Sequence, residues 1–207
     1  MGRPKDADSA QTFERILAAT LSLLTDQVEP KLPSLRAVAK RADVSLGTIQ
    51  YYFDSKDQLL EACLDGYHER LGALGASLIG EVGRLEGRAL VEHAIGELYR
   101  FARRERGLLR LRVASTVAQG ELPPSRQRDF MGALAEQGAR FLEPHVEVAG
   151  LDARLAIHAM SAMIVRFALM SDSEATWTTG LEGEAAHRAL GDYAVRAGRR
   201  LVRPSEG

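Results

Sequence analysis

Gly47, Thr48, Gln50, Tyr51 and Tyr52 bring an amide, a hydroxyl and two phenols within fewer than two turns of helix, beside a residue with no side chain. A carboxamide offers a donor and an acceptor side by side, matching the pattern that adenine presents in the major groove of DNA. Hydroxyl and phenol groups suit phosphate oxygens, and glycine permits close backbone approach. Leu46 just ahead has nothing to donate or accept, but it can pack on a thymine methyl. An ordinary helix pair with a polar surface would carry similar residues, so the surrounding elements decide between the two.

Those elements are specific. Residues 34–56 read as two short helices joined by a three-residue turn. Ser34 caps the first, whose inner face is Val38, Ala39 and Ala42. Asp43, Val44 and Ser45 turn the chain, and Ser45 caps a second helix from about Leu46 to Phe53. Ala39 is small where the helices nearly touch, and Val44 and Ile49 plug the angle between them. This is the logic of a helix-turn-helix, in which the second helix enters the major groove. A helix of about 18 residues precedes the pair, with Phe13, Ile16, Leu17, Thr20, Leu23 and Leu24 at helical spacing. Ser55 caps a third element starting at Lys56.

On the residues Ile16, Leu17, Ala18 and Ala19, the run 35–42, Val44 and Ser45, the run 47–49, Tyr51, Tyr52, Phe53, Ser55 and Lys56, the chain resembles the tetracycline-repressor (TetR) family of bacterial transcription regulators. The likeness covers about 50 residues and ends near Leu64. Two positions depart from the family. Asp43 stands where glycine is usual, and aspartate tolerates left-handed backbone better than most residues. Leu46 stands where a polar residue is common, which alters the operator rather than the binding. The resemblance implies a homodimeric, ligand-responsive DNA-binding regulator, more a repressor than an activator, without enzymatic activity. Ser34, Arg36, Thr48, Tyr52 and Lys56 are then expected to hold phosphates or flank the groove, and Ser45 is expected among the DNA-binding residues. Leu46, Gly47, Gln50 and Tyr51 are expected at base edges, with Gln50 reading an adenine. Arg36 can instead reach a guanine.

Bulk properties permit this. The 207 residues are 45% hydrophobic and 27% charged, ordinary values for a soluble globular protein. The formal net charge of −1 does not announce a nucleic-acid binder. Between Lys31 and Lys56, however, five basic residues face two acidic ones. The motif carries the inference, and electrostatics merely allows it. Cys63 is the only cysteine, so no intrachain disulfide or cysteine-cluster zinc site is possible, and its inward position reads as a small buried hydrophobe. No signal peptide and no run of 18 apolar residues are visible, so the expected compartment is the cytoplasm, with no membrane partner. No nucleophile motif, paired catalytic carboxylates, phosphate loop or His-Glu-x-x-His spacing occurs, so no catalytic residue, metal or cofactor is expected.

Nearly everything after Lys56 has helical period, and strand signals are scarce. The expected fold is all-α with about nine helices: a basic arm at 1–8, a three-helix DNA-binding domain at 9–60, and a helical effector-binding and dimerisation domain at 61–207. The arginines 103, 104, 106, 110 and 112 wrap around a helix and read as a solvated face. Leu155 to Met170 is apolar almost all round, the pattern of a helix buried on every side. The last helix, about Glu184 to Leu201, carries the stripe Ala186, Leu190, Tyr193, Ala194, Ala197 and Leu201, suited to packing against a second copy. In the resembled family the two C-terminal helices form the dimer interface. The helices over 88–175 are where that family keeps its cavity. Tyr99, Phe130, Leu134, Met160, Met163, Phe167 and Trp177 are the expected lining for a mostly hydrophobic effector, with His158 or Arg112 to orient it. Taken singly, each of the seven, and His158 too, reads first as plain core. Two rivals remain: a constitutive regulator without a pocket, and an α-helical enzyme.

Overall fold

The computed structural model describes residues 5–26, 29–119, 136–141, 143–148 and 150–203. Among them the secondary structure is helical: α1 (Lys5–Asp26), α2 (Leu35–Ala42), α3 (Leu46–Tyr52), α4 (Lys56–Gly80), α5 (Gly87–Arg104), α6 (Arg106–Gln119), a helical stretch at 136–141 and a 3-10 turn at Glu143–His145, then α7 (Gly150–Ala168), α8 (Asp172–Thr179) and α9 (Gly183–Val202). The all-α expectation holds. No single helix among the described residues is long and apolar enough to cross a membrane. The described residues fall into two compact units, one within Met1–Arg70 and Gly107–Ala118, the other within Leu71–Arg106 and Gln119–Gly207.

The first unit is built on α1, whose Ile16, Ala19, Thr20 and Leu24 are buried, with Phe13, Leu17 and Leu23 half-buried. Thr20 is a buried hydroxyl, and it is satisfied by donating to the Ile16 carbonyl at 2.8 Å. Helix α1 begins at Lys5, so the helix extends into the segment read as a free arm; residues 1–4 lie outside the described residues. Val38, Ala39 and Ala42 of α2, Ile49 of α3 and Phe53 complete this core with Leu59, Cys63, Leu64 and Tyr67 of α4. Ser55 starts α4 by accepting from the Gln58 amide at 3.1 Å, and the Gln58 carboxamide returns to accept from the Asp54 amide at 2.7 Å. Helix α6 closes on α1 at Gly107, where a Cβ would stand 2.7 Å from the Leu24 carbonyl carbon and the Thr25 nitrogen.

In the second unit, α5, α7 and α9 pack where side chains are smallest. A Cβ on Gly191 would lie 2.7 Å from the Tyr99 ring, and one on Gly198 would meet Ile95 and Met160. The Tyr99 hydroxyl donates to the His187 carbonyl at 2.8 Å, and His187 Nε2 sits 2.8 Å from Asp172 Oδ1. That bond holds the Asp172 carboxyl below its usual range. Arg103, read as part of a solvated face, is half-buried and donates to the Ala168 carbonyl at 3.3 Å. Burial, with Arg106 beside it, lowers its pKa.

Two expectations are corrected here. Helix α7 is not buried all round: Ala153, Ala156, Met160, Ile164 and Ala168 form one inner face, while Leu151 and Leu155 are exposed. Its apolar composition overstated its burial within the chain. Helix α8, absent from the sequence reading, is eight residues long, capped by Ser171 accepting from the Glu174 amide and ended by left-handed Gly180. Its short length left too little periodicity to detect.

Candidate nucleic-acid interface

Both caps that the sequence pointed to are formed. Ser34 Oγ accepts from the Ala37 amide at 3.1 Å, and Ser45 Oγ from the Thr48 amide at 2.9 Å. Between them Asp43 takes φ 53 and ψ 52, the left-handed conformation expected of the turn, and the Val44 amide donates to the Ala39 carbonyl at 3.0 Å. Ile49 is fully buried and anchors α3 on α2, while Val44 is half-buried. With Ile49 inward, the opposite side of α3 is open: Gly47 and Gln50 are exposed, and Tyr51 is 81% exposed. A tyrosine so accessible has its hydroxyl and ring available to a partner. Arg36 and Lys56 are exposed at the starts of α2 and α4. Leu46 and Thr48 are half-buried, and the Thr48 hydroxyl lies 2.8 Å from Ser45 Oγ.

Tyr52 is placed differently from the expectation that it holds phosphate. Its hydroxyl donates to the Ser9 carbonyl at 3.1 Å and lies 2.9 Å from Ser9 Oγ, and its ring meets Phe13 edge-on at 6.0 Å. A phenol has one proton to give, and here that proton is engaged inside the unit. Phe13 also stacks on Phe53 at 5.4 Å, so the end of α3 is fastened to α1 by an aromatic cluster. Sequence reasoning missed Ser9 and Arg15 altogether. The Arg15 guanidinium donates to the carbonyls of Ala42 (2.6 Å) and Asp43 (3.0 Å), at the turn itself. Both residues lie on the polar side of α1, where spacing carries no sign of a distant partner.

The other expected sites fare less evenly. Of the effector lining, Phe130 and Leu134 lie outside the described residues. Tyr99 and Met160 are buried, Met163 and Phe167 half-buried. His158 is exposed and Trp177 is 85% exposed, so neither is core, and neither is enclosed by its own unit. Of the dimer stripe, Ala186, Leu190 and Ala194 face inward, at 0%, 4% and 0% exposure. They cannot meet a second copy because they already pack inside their own chain. Tyr193 and Leu201 are exposed, Ala197 half-buried. Cys63 is buried as expected, and desolvation pushes its thiol up to about 12.

Residues 30–63 match the profile of the bacterial regulatory proteins of the tetR family. An uncharacterised HTH-type transcriptional regulator in the dhlA 5′ region of Xanthobacter autotrophicus is 49% identical over 57 residues, 28% of each chain. The HTH-type transcriptional repressor KstR of Rhodococcus jostii is 44% identical over 62 residues, 30% of this chain and 29% of that one. The alignments therefore span less than a third of these curated relatives. Solved structures match over far more. A Rhodococcus transcriptional regulator superposes with a TM-score of 0.62 at 20% identity, covering 94% of this chain and 99% of its own. The multidrug binding protein EbrR, complexed with malachite green, superposes with 0.58 at 20% identity over 92% and 97%. At such identities the likeness is one of fold.

Proposed function

We propose, for a chain that belongs to the tetR family of bacterial regulatory proteins, the function of a homodimeric DNA-binding transcription regulator without catalytic activity, a repressor released from a near-palindromic operator by a small hydrophobic effector. The observation that carries the DNA-binding part is the α3 surface: Gly47, Gln50 and Tyr51 stand open on a helix whose opposite side is held by buried Ile49. Gln50 reads a base edge, with adenine its natural partner, while Tyr51 and Leu46 fill the groove around it. Arg36 and Lys56, at two separate helix starts, hold the phosphates on either side. The cytoplasm is where such a regulator acts.

Support for the remaining parts is of other kinds. The KstR relative is named a repressor, and the multidrug binding protein EbrR, a structure of the same fold, is complexed with malachite green, which favours an effector site. Dimerisation is supported by large apolar side chains on the outer sides of two helices, Leu151 and Leu155 on α7 and Tyr193 and Leu201 on α9. Two recognition helices joined in this way bind two half-sites as one unit. A ligand that favours a dimer with its recognition helices out of register would release the operator. Titration of a duplex taken from the region upstream of its own gene tests the proposal. Affinity should fall steeply with salt, and Gln50→Ala should relax preference at one base position by roughly 1–3 kcal/mol. Equal affinity for that duplex and a scrambled one, at every salt concentration, refutes it.

A further inference from the structure

Arg15 belongs to the middle of α1, outside every residue that the sequence associates with DNA. Its Nη2 nevertheless donates to two successive carbonyls, Ala42 at 2.6 Å and Asp43 at 3.0 Å. Both belong to the C-terminal end of α2, where a helix leaves carbonyls without intrahelical donors. A guanidinium there answers them with charge-assisted bonds and also meets the negative end of the helix dipole. Asp43 is a residue with a side chain in the left-handed region, at φ 53, which disfavours this backbone path relative to a right-handed one. The path is closed by the bond from the Val44 amide to the Ala39 carbonyl, the six-to-one bond of a Schellman turn. Three residues later α3 is under way, so the dihedrals of Asp43 set the direction in which α3 leaves α2.

We propose that Arg15 is the positioning residue of the recognition helix: by clamping the carbonyls of Ala42 and Asp43 it offsets the left-handed aspartate and holds α3 at its angle. Arg15 itself contacts no base. The consequence at DNA rests on the function proposed above, whereas the clamp is local to α1, the turn and α3 and can be measured without DNA.

A double-mutant cycle tests it, with Arg15→Met, Asp43→Gly and the pair. Methionine keeps the stem and removes the fork, and glycine adopts left-handed backbone without strain. Two quantities are read: hydrogen-exchange protection of the Val44 amide, and affinity for the upstream duplex against a scrambled duplex of equal length. Arg15→Met should lower Val44 protection and weaken specific binding by about tenfold each, as loss of charge-assisted bonds implies, with little change on the scrambled duplex. Adding Asp43→Gly should bring both back to within about threefold, because the backbone no longer needs the clamp. A glycine that merely stabilises the fold would raise protection equally with and without Arg15, so it is the coupling between the two sites, not rescue alone, that identifies the clamp. Unchanged Val44 protection in Arg15→Met overturns the proposal, as does an equal loss in both backgrounds. If Arg15→Met does not fold, Arg15→Lys replaces it in the same cycle, with the same two criteria. If the wild type distinguishes no duplex, the DNA-binding function fails, and Val44 exchange alone still decides the clamp.

Discussion

Gly107 is where the first unit tolerates no side chain, and Gly107→Ala measures how rigid that contact is. A Cβ there would sit 2.7 Å from the Leu24 carbonyl carbon and Thr25 nitrogen and 2.9 Å from the Leu24 oxygen. Carbon atoms rest at about 3.5–4.0 Å, so roughly an ångström must be found. The obstacle is backbone of α1, which yields only if two helices separate. Overpacking costs about 1–3 kcal/mol, and a backbone obstacle belongs at the upper end. Alanine normally returns up to about 1 kcal/mol in a helix interior, but Gly107 is the second residue of α6, where little of that gain is realised. The net loss is then about 2–3 kcal/mol, a fall of roughly 10–20 °C in Tm for a unit of this size. Gly198→Ala is the control. Its Cβ would meet Ile95 Cδ1 and, at 3.0 Å, Met160 Sδ, the flexible ends of side chains that can rotate away. There the helix gain in mid-α9 roughly cancels the cost, leaving stability within about 1 kcal/mol of wild type. Thermal unfolding followed by circular dichroism and calorimetry reads both. A Gly107→Ala protein that melts with the wild type, or a Gly198→Ala protein that melts as far below it as Gly107→Ala does, refutes the reasoning.

Other outcomes follow from the same contacts. Tyr52→Phe keeps the ring on Phe13 but loses the bonds to Ser9, so it should destabilise by about 1 kcal/mol while leaving the salt slope of DNA binding unchanged. Lys56→Ala should leave stability alone and reduce that slope by about one. Tyr193→Asp, at an exposed position, should give folded monomers in light scattering with weakened operator binding, whereas Ala194→Arg, at a buried one, should unfold the chain instead. Burial, with Arg112 near it, lowers the pKa of His68 below the ordinary histidine value. A base so depressed takes its proton first in the unfolded state, so its contribution is complete above about pH 6.5 and declines as pH falls toward the folded value. His68→Gln should flatten that part of a stability–pH curve measured by urea titration. Cys63, with its thiol pushed up to about 12, should resist a thiol reagent at pH 8 until the protein unfolds, and prompt native labelling would contradict its burial.

The helix-turn-helix was legible in the sequence because its determinants are local. Ser34 and Ser45 cap helices within three residues of themselves, Asp43 answers for its own dihedrals, and Ile49 is marked as inward by spacing alone. Such features survive without knowledge of the rest of the chain, and so the outward set Gly47, Gln50 and Tyr51 on α3, exposed in the fold, follows from the sequence alone. The all-α class and the extents of α5 and α9 followed from period for the same reason.

Tertiary structure decided whatever depended on a partner far along the chain. Arg15 reaches Ala42 and Asp43 nearly thirty residues away, and Tyr52 reaches Ser9 across 43. No spacing rule registers such a pair, since a polar residue on an outer helix face looks the same with or without one. The stripe on α9 shows the other side of this. Period says that Ala186, Leu190 and Ala194 share a face with Tyr193 close by, but not which neighbour that face meets. Their own α5 covers it, through the close approach at Gly191, and Tyr193 is left outside. Periodicity identifies a face that must be buried, and only packing decides whether the same chain or a second copy buries it.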